Sequence, residues 1–260
     1  MLGSIIGDIV GSRFEFINNK SEDFELFTKE CKFTDDTVMC VATMDSILNN
    51  KPFDVRYHYW GNKYPNIGYG SKFNDWLNQA KPVPYRSFGN GSAMRVSPVG
   101  WAYNNFNDVI KQAKLSASVT HNHREGVRGA CAVAVCVYLA RSKTPKNIIK
   151  DMIEFYFQYN LSRPLSEIKP TYKFNETCQG SVPEAITCFL EGNSYEDIIR
   201  KAVGLGGDAD TLACIAGGIA EAYYGIPQGI IDKLSDYISS KDIEIASIVQ
   251  EFYYKFVGYN

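Results

Sequence analysis

Gly204-Leu205-Gly206-Gly207-Asp208-Ala209-Asp210-Thr211 runs without a break into Leu212-Ala213-Cys214-Ile215-Ala216-Gly217-Gly218-Ile219-Ala220. The second half is a helix of small apolar residues, which is stable only when deeply buried among other helices. The first half packs glycines, which let backbone approach a neighbour closely, against two carboxylates at the helix entry. Unpaired carboxylates at a desolvated entry are costly. A cluster of the same chemistry, Thr34-Asp35-Asp36-Thr37, stands in front of the helical run 37–49. If the fold brings the two clusters together, four carboxylates face one point. Like charges that close survive only when protons or cations neutralise them, and two divalent ions would balance four aspartates.

Outward from this helix the apolar period stays helical. Runs at 107–118, 125–142, 145–159, 182–191, 194–204, 211–224, 228–239 and 242–257 join 37–49, with Pro145 and Pro183 in first turns. Alternating strand patterns bounded by turn residues are nearly absent, so the expected fold class is all-α, a bundle with one core. Gly3, Gly7 and Gly11 share one helical face and permit close helix–helix approach, a structural role. Residues 60–72 and 81–92, rich in Gly, Pro, Asn and Ser, are expected as loops, and 161–181 as another irregular stretch. Long loops in a compact domain are often functional.

Composition narrows the function classes. With 27 basic and 29 acidic residues in 260, there is no basic field to grip a nucleic-acid backbone or an anionic membrane. The seven cysteines form no Cys-x-x-Cys pair, and Cys131, Cys136 and Cys214 read as small buried hydrophobes in a reducing compartment. The N-terminus lacks a basic n-region and Asp8 interrupts its apolar run, so a signal peptide is not expected. No stretch reaches the ~18–20 apolar residues of a membrane span. The expectation is a soluble, cytoplasmic, monomeric protein.

The candidate residues each carry a plainer reading. Thr34 can be an N-cap with Asp35 and Asp36 in the first turn, where the macrodipole favours acids by about 0.3–1 kcal/mol each. For that cluster alone, capping is the first reading. Carboxylate and hydroxyl oxygens suit Mg²⁺ or Mn²⁺ rather than zinc, and the only histidines are His58, His121 and His123. Glu15 reads on pattern alone as a solvated glutamate, and His121 as a cap neighbour. The loop Ser87-Phe88-Gly89-Asn90-Gly91-Ser92-Ala93-Met94-Arg95 can form a nest of backbone N–H groups for phosphate oxygens, but Asn-Gly is equally a turn signal.

Taken together, Gly7-Asp-Ile-Val-Gly-Ser-Arg-Phe-Glu15, Phe33-Thr-Asp-Asp-Thr37, Phe88-Gly-Asn-Gly-Ser-Ala-Met-Arg95, Thr120-His121 and Gly206-Gly-Asp-Ala-Asp-Thr-Leu-Ala213 resemble the ADP-ribosylglycohydrolase family, which includes the dinitrogenase-reductase-activating glycohydrolase. The match keeps the family's order from residue 3 to about residue 227. The resemblance implies a compact orthogonal helical bundle, one domain over 1–260, with a binuclear Mg²⁺ or Mn²⁺ centre. By motif position Thr34, Asp35 and Asp36 ligate on one side and Asp208, Asp210 and Thr211 on the other. Glu15 matches the acid beside the metals that takes part in catalysis. Ser87, Phe88, Gly89, Asn90 and Gly91 match the loop cradling the ADP-ribose phosphates, and His121 matches a substrate-contacting histidine.

The expected reaction is hydrolysis of the bond from the ribose anomeric carbon of ADP-ribose to an acceptor: a modified protein, a nucleic-acid base or a small molecule. Glu15 or Asp36 would activate the water. The rival expectations are an ADP-ribose- or nucleotide-binding module without turnover, and a structural bundle whose acidic clusters are caps.

Overall fold

A computed structural model describes residues 1–238 and 242–258. The chain opens with α1 (Leu2–Gly11), a 3-10 turn at Ser12–Phe14 and an irregular segment leading to α2 (Asp35–Leu48). Next come α3 (Phe53–Lys63), α4 (Ser71–Leu77), α5 (Gly91–Met94), α6 (Ser97–Ala102), α7 (Phe106–Ser118) and the long α8 (Arg124–Arg141). After α9 (Lys146–Phe157) and the single turn α10 (Leu165–Ile168) follow α11 (Cys178–Glu191), α12 (Tyr195–Leu205) and α13 (Ala209–Tyr224). A short α14 (Gln228–Asp232), a 3-10 turn at Lys233–Asp236 and α15 (Ile243–Phe256) complete it. Among the described residues there is no sheet, only an isolated antiparallel bridge between Gly89 and Thr177. The all-α expectation is met.

The molecule is organised on α1 and α13, which lie antiparallel with their backbones in contact. A Cβ at Gly3 would stand 2.3 Å from the Gly217 carbonyl oxygen, and one at Gly7 2.1 Å from that of Ala213. The four-residue glycine spacing therefore has the structural role read from it. Leu212, Ala213, Cys214 and Ala216 of α13 are fully buried. On one side α8, α11 and α12 contribute Val133, Val135, Ile186, Phe189 and Ile199; on the other α2, α3, α4 and α15 contribute Met39, Val41, Trp60, Trp76 and Phe252. At about 25 cal/mol per Å² of apolar surface, burial of side chains this large is the main stabilising force.

Helix boundaries follow local chemistry. Thr34, Asn105, Thr177 and Ser194 cap helices through side-chain oxygens that accept from backbone N–H groups two or three residues on. Two loop expectations are corrected. The stretch 60–72 is helical at both ends, because Phe53, Tyr57 and Trp60 lie on one face of α3 and the Trp60 indole donates to Asp45 at 2.7 Å. The break is confined to the residues around Pro65, where the residue before a proline avoids helical backbone and Asn66 and Gly68 take φ of 62° and 121°. Within 161–181, α10 forms and α11 begins at Cys178, so Pro183 lies inside that helix rather than in its first turn. The expected helix at 228–239 divides into α14 and the 3-10 turn, and residue 239 lies outside the described residues.

A candidate metal and substrate site

The antiparallel pair brings the last turns of α1 to the entry of α13, and α2 starts beside them. Asp8, on α1 and fully buried, holds the first acidic cluster in place. Its Oδ1 accepts from Thr34 Oγ1 at 2.6 Å; its Oδ2 accepts from Thr34 N at 2.9 Å, Thr37 N at 3.1 Å and Thr37 Oγ1 at 2.5 Å. Because Thr34 gives its proton to Asp8, its oxygen presents lone pairs to the site. One of these is used by the Asp36 N–H at 3.3 Å, the capping bond expected of Thr34.

Two carboxylate groups then converge. Asp8, Asp36 and Asp210 each bring an oxygen within 4.8 Å of the others, as do Glu15, Asp208 and Asp210. Asp210 belongs to both. Thr211 Oγ1 donates to Asp36 Oδ2 at 3.3 Å, while Asp36 Oδ1 is buried and accepts no hydrogen bond from the described residues. Asp35 stands outside both groups, half-buried in the same cleft; a Cβ at Gly68 would lie 2.7 Å from its Oδ1. Burial first, then the charges of neighbouring acids, pushes Asp35, Asp36 and Asp210 well above the usual carboxylate range. Burial also raises Asp8 and Asp208, against the donors that hold them. Glu15, half-buried after the 3-10 turn, is raised to about 7 by burial and by Asp208 and Asp8. All-oxygen donors gathered at this density, with one carboxylate oxygen lacking a donor, fit hard divalent cations.

The cleft above these acids encloses about 310 Å³ and is walled by the glycine loop, His121, Tyr69 and Phe174. The loop is gripped from outside by the start of α11: Asn90 N donates to Glu176 O at 2.7 Å and Cys178 N to Phe88 O at 2.9 Å. Gly89 N is taken by Ser87 Oγ at 3.1 Å. The expected run of consecutive free N–H groups is thus interrupted at Gly89 and Asn90. The Asn90 side chain turns inward to Asp208, and Ser87, Phe88, Gly89 and Gly91 line the cleft.

His121 is 5% exposed, with Nε2 3.3 Å from where a Gly91 Cβ would stand. Arg95 donates to Thr120 Oγ1 at 2.8 Å, and that hydroxyl lies 2.7 Å from His121 Nδ1. Assigned from this network, Nδ1 accepts and the ring proton sits on Nε2, facing the loop. Burial, then the Arg95 charge, holds His121 well below its usual pKa, so it is a neutral donor. His123 caps α8 instead, accepting from Glu125 N at 3.2 Å.

The fold therefore brings together Glu15, Thr34, Asp35, Asp36, Asp208, Asp210 and Thr211, with the glycine loop and His121 lining the same cleft. Sequence reading missed two contributors. Asp8 was noted only as a break in an apolar run; an ionisable residue in the middle of a helix that must be buried was its signal. Tyr69 lines the cleft with a buried hydroxyl that has no partner among the described residues, and nothing local marked it.

Fold and site together define an all-α protein whose gathered acidic oxygens could hold hard cations beside a glycine-rich loop. The chain belongs to the ADP-ribosylglycohydrolase family, whose family model matches residues 1–257. It is 28% identical to ADP-ribosylhydrolase ARH3 of Homo sapiens, over 88% of this chain and 85% of the relative. It is 27% identical to ADP-ribosylarginine hydrolase Tri1 of Pseudomonas putida (strain GB-1), over 87% and 70%. A solved structure described as an ADP-ribosylglycohydrolase-related protein complex superposes with a TM-score of 0.73 at 22% identity, covering 97% of this chain and 94% of that one, a likeness of fold. Among the described residues no helix is long and apolar enough to cross a membrane.

Proposed function

We propose that this chain, folded as one domain, is a metal-dependent hydrolase that cleaves the glycosidic bond between ADP-ribose and a modified acceptor. The observation that carries the reading is the pair of carboxylate groups sharing Asp210 in a cleft that the glycine loop also lines. Family membership and the hydrolase relatives support it. Thr34, Asp35, Asp36, Asp208, Asp210 and Thr211 would hold two Mg²⁺ or Mn²⁺ ions. Divalent cations supply Lewis acidity toward ribose hydroxyls and a water of lowered pKa. The chain's own part is orientation and proton handling. Ser87 to Gly91 and the Nε2 proton of His121 fix the pyrophosphate, which holds the anomeric carbon over the acids. Glu15, on the cleft wall and less buried than Asp36, takes the proton of the attacking water and returns it to the acceptor atom as the glycosidic bond breaks. The acceptor is a protein, nucleobase or small molecule, joined to the ribose by an N- or an O-glycosidic bond.

The test is release of ADP-ribose from an ADP-ribosylated protein with Mg²⁺, with and without chelator. Release should require the cation and be lost in the double variant Asp35→Asn/Asp208→Asn. Chelator-insensitive release removes the metal requirement. Tight ADP-ribose binding with no product over hours, in saturating Mg²⁺, replaces the hydrolase with a binding module.

A further inference from the structure

We infer that Asn90 is a positioning residue that joins the glycine loop to the cation ligands, so that cation binding and pyrophosphate binding reinforce each other. The inference rests on the hydrolase reading and goes beyond it by locating the link between its two halves. Asn90 sits between Gly89 and Gly91 and is 7% exposed. Its Nδ2 donates to Asp208 Oδ2 at 2.6 Å and to Ser181 Oγ at 3.2 Å, which uses both amide protons. Its backbone N–H goes to Glu176 O, and its carbonyl accepts from Ala93 N at 2.7 Å and Met94 N at 3.0 Å. Both amide protons and the backbone N–H and C=O of this residue are engaged, and the side-chain bonds end on Asp208 and Ser181 while the backbone is tied to Glu176 and to the turn of α5.

The chemistry of the joint follows. A charge-assisted bond of this length on one carboxylate oxygen fixes the carboxylate plane, and hence the direction of the other oxygen. With Asp208 held by a cation, Asn90 has one orientation, and the flanking Gly89 and Gly91 backbone is held with it. With a pyrophosphate on the loop, Asn90 is held from the other side and Asp208 is already turned for ligation. Linkage requires the two effects to be equal in size. Groups that orient metal ligands in this way typically change affinity ten- to a hundred-fold. Ser181 also touches Nδ2 but does not touch Asp208, so it separates the joint from general packing.

The experiment is a titration of Mn²⁺, read as the free-ion electron paramagnetic resonance signal, with and without ADP. ADP is chosen because it carries the pyrophosphate without the second ribose that would meet the cations directly. Its own Mn²⁺ binding is measured in a protein-free control and subtracted. In the wild type, ADP should tighten Mn²⁺ binding by about five-fold or more, the usual range of coupling between sites. In Asn90→Ala, Mn²⁺ alone should bind roughly ten- to a hundred-fold more weakly, and the enhancement by ADP should vanish. Ser181→Ala should keep it. Asn90→Ser keeps a polar side chain at the position but is too short to reach Asp208, and it carries the test if the alanine variant does not fold. An undiminished ADP enhancement in the Asn90 variants overturns the joint. A wild type that binds Mn²⁺ and ADP independently also overturns it while leaving the hydrolase reading standing, whereas a wild type that binds no Mn²⁺ removes both.

Discussion

Asp8→Asn separates organising the cation ligands from merely filling space. The carboxylate accepts four hydrogen bonds, three of them on Oδ2. An asparagine can keep those three on its carbonyl oxygen, which leaves its NH₂ facing Thr34 Oγ1. The threonine must then accept rather than donate, and its remaining lone pair is spent on the amide instead of the site. Losing a group that orients a metal ligand costs about ten- to a hundred-fold in affinity, or about 1.4–2.7 kcal/mol. For a chain of this size 1 kcal/mol moves Tm by about 2–4 °C, so the rise produced by saturating Mg²⁺ should shrink by roughly 3–10 °C. In chelator the picture differs. Removing one buried charge from a crowded anionic cluster offsets the weaker hydrogen bonds, and the variant should melt within a few degrees of the wild type. Differential scanning calorimetry with and without Mg²⁺ gives both numbers. A Mg²⁺-induced rise as large as that of the wild type would refute the organising role of Asp8.

Other perturbations address the fold and the charge balance. Gly7→Ala drives a methyl into the Ala213 carbonyl, backbone against backbone, and should cost at least the ~1–3 kcal/mol of ordinary overpacking, read as a lowered urea midpoint. Gly68→Ala puts a Cβ against the Asp35 carboxylate at a φ of 121°, so ADP-ribose release should fall while the helical content in circular dichroism is retained. Glu184 is raised by burial from 4.5 to about 7, so its contribution is fully present below pH 4.5 and is lost as pH rises through 7. Glu184→Gln should therefore flatten the fall in stability across that window by on the order of 3 kcal/mol, measured by denaturant titration at several pH values. The same sign holds for Asp36 and Asp210, whose native pKa values are raised: chelated protein should lose stability as pH rises from the acid range toward neutrality. Mg²⁺ should restore more Tm at pH 7 than at pH 5, and equal restoration at both would count against the clustered acids.

What could be read from the chain was what local chemistry dictates. The small-residue helix at 211–224, the glycine face of residues 3–11 and the Thr34 cap each follow from spacing and side-chain type, and each is found in place. The acidic entries pointed to cations because hard oxygens had no soft ligands near them in sequence. What escaped was decided by tertiary contact. The helical ends of 60–72 depend on Trp60 and Trp76 being buried, which outweighs the Gly and Asn content of that stretch. The Asn90 side chain reads as a turn former until Asp208, 118 residues away, is set beside it. Asp8 was visible, but its four donors lie on a segment that only folding delivers.

The α1–α13 contact also governs when the site comes into being. The Gly3 N–H meets the Glu221 carboxylate at a sequence separation of 218, so closing this pair is among the most non-local events in folding. Such contacts form only after the entropy of a long loop has been lost, although each doubling of loop length adds just about 0.6 kcal/mol. The acids meet only when that closure is made, and they separate whenever it opens. Cations held there, as proposed above, would act as a clasp on the closed chain, and should protect amides of the most deeply buried helices against hydrogen exchange as well as those lining the cleft.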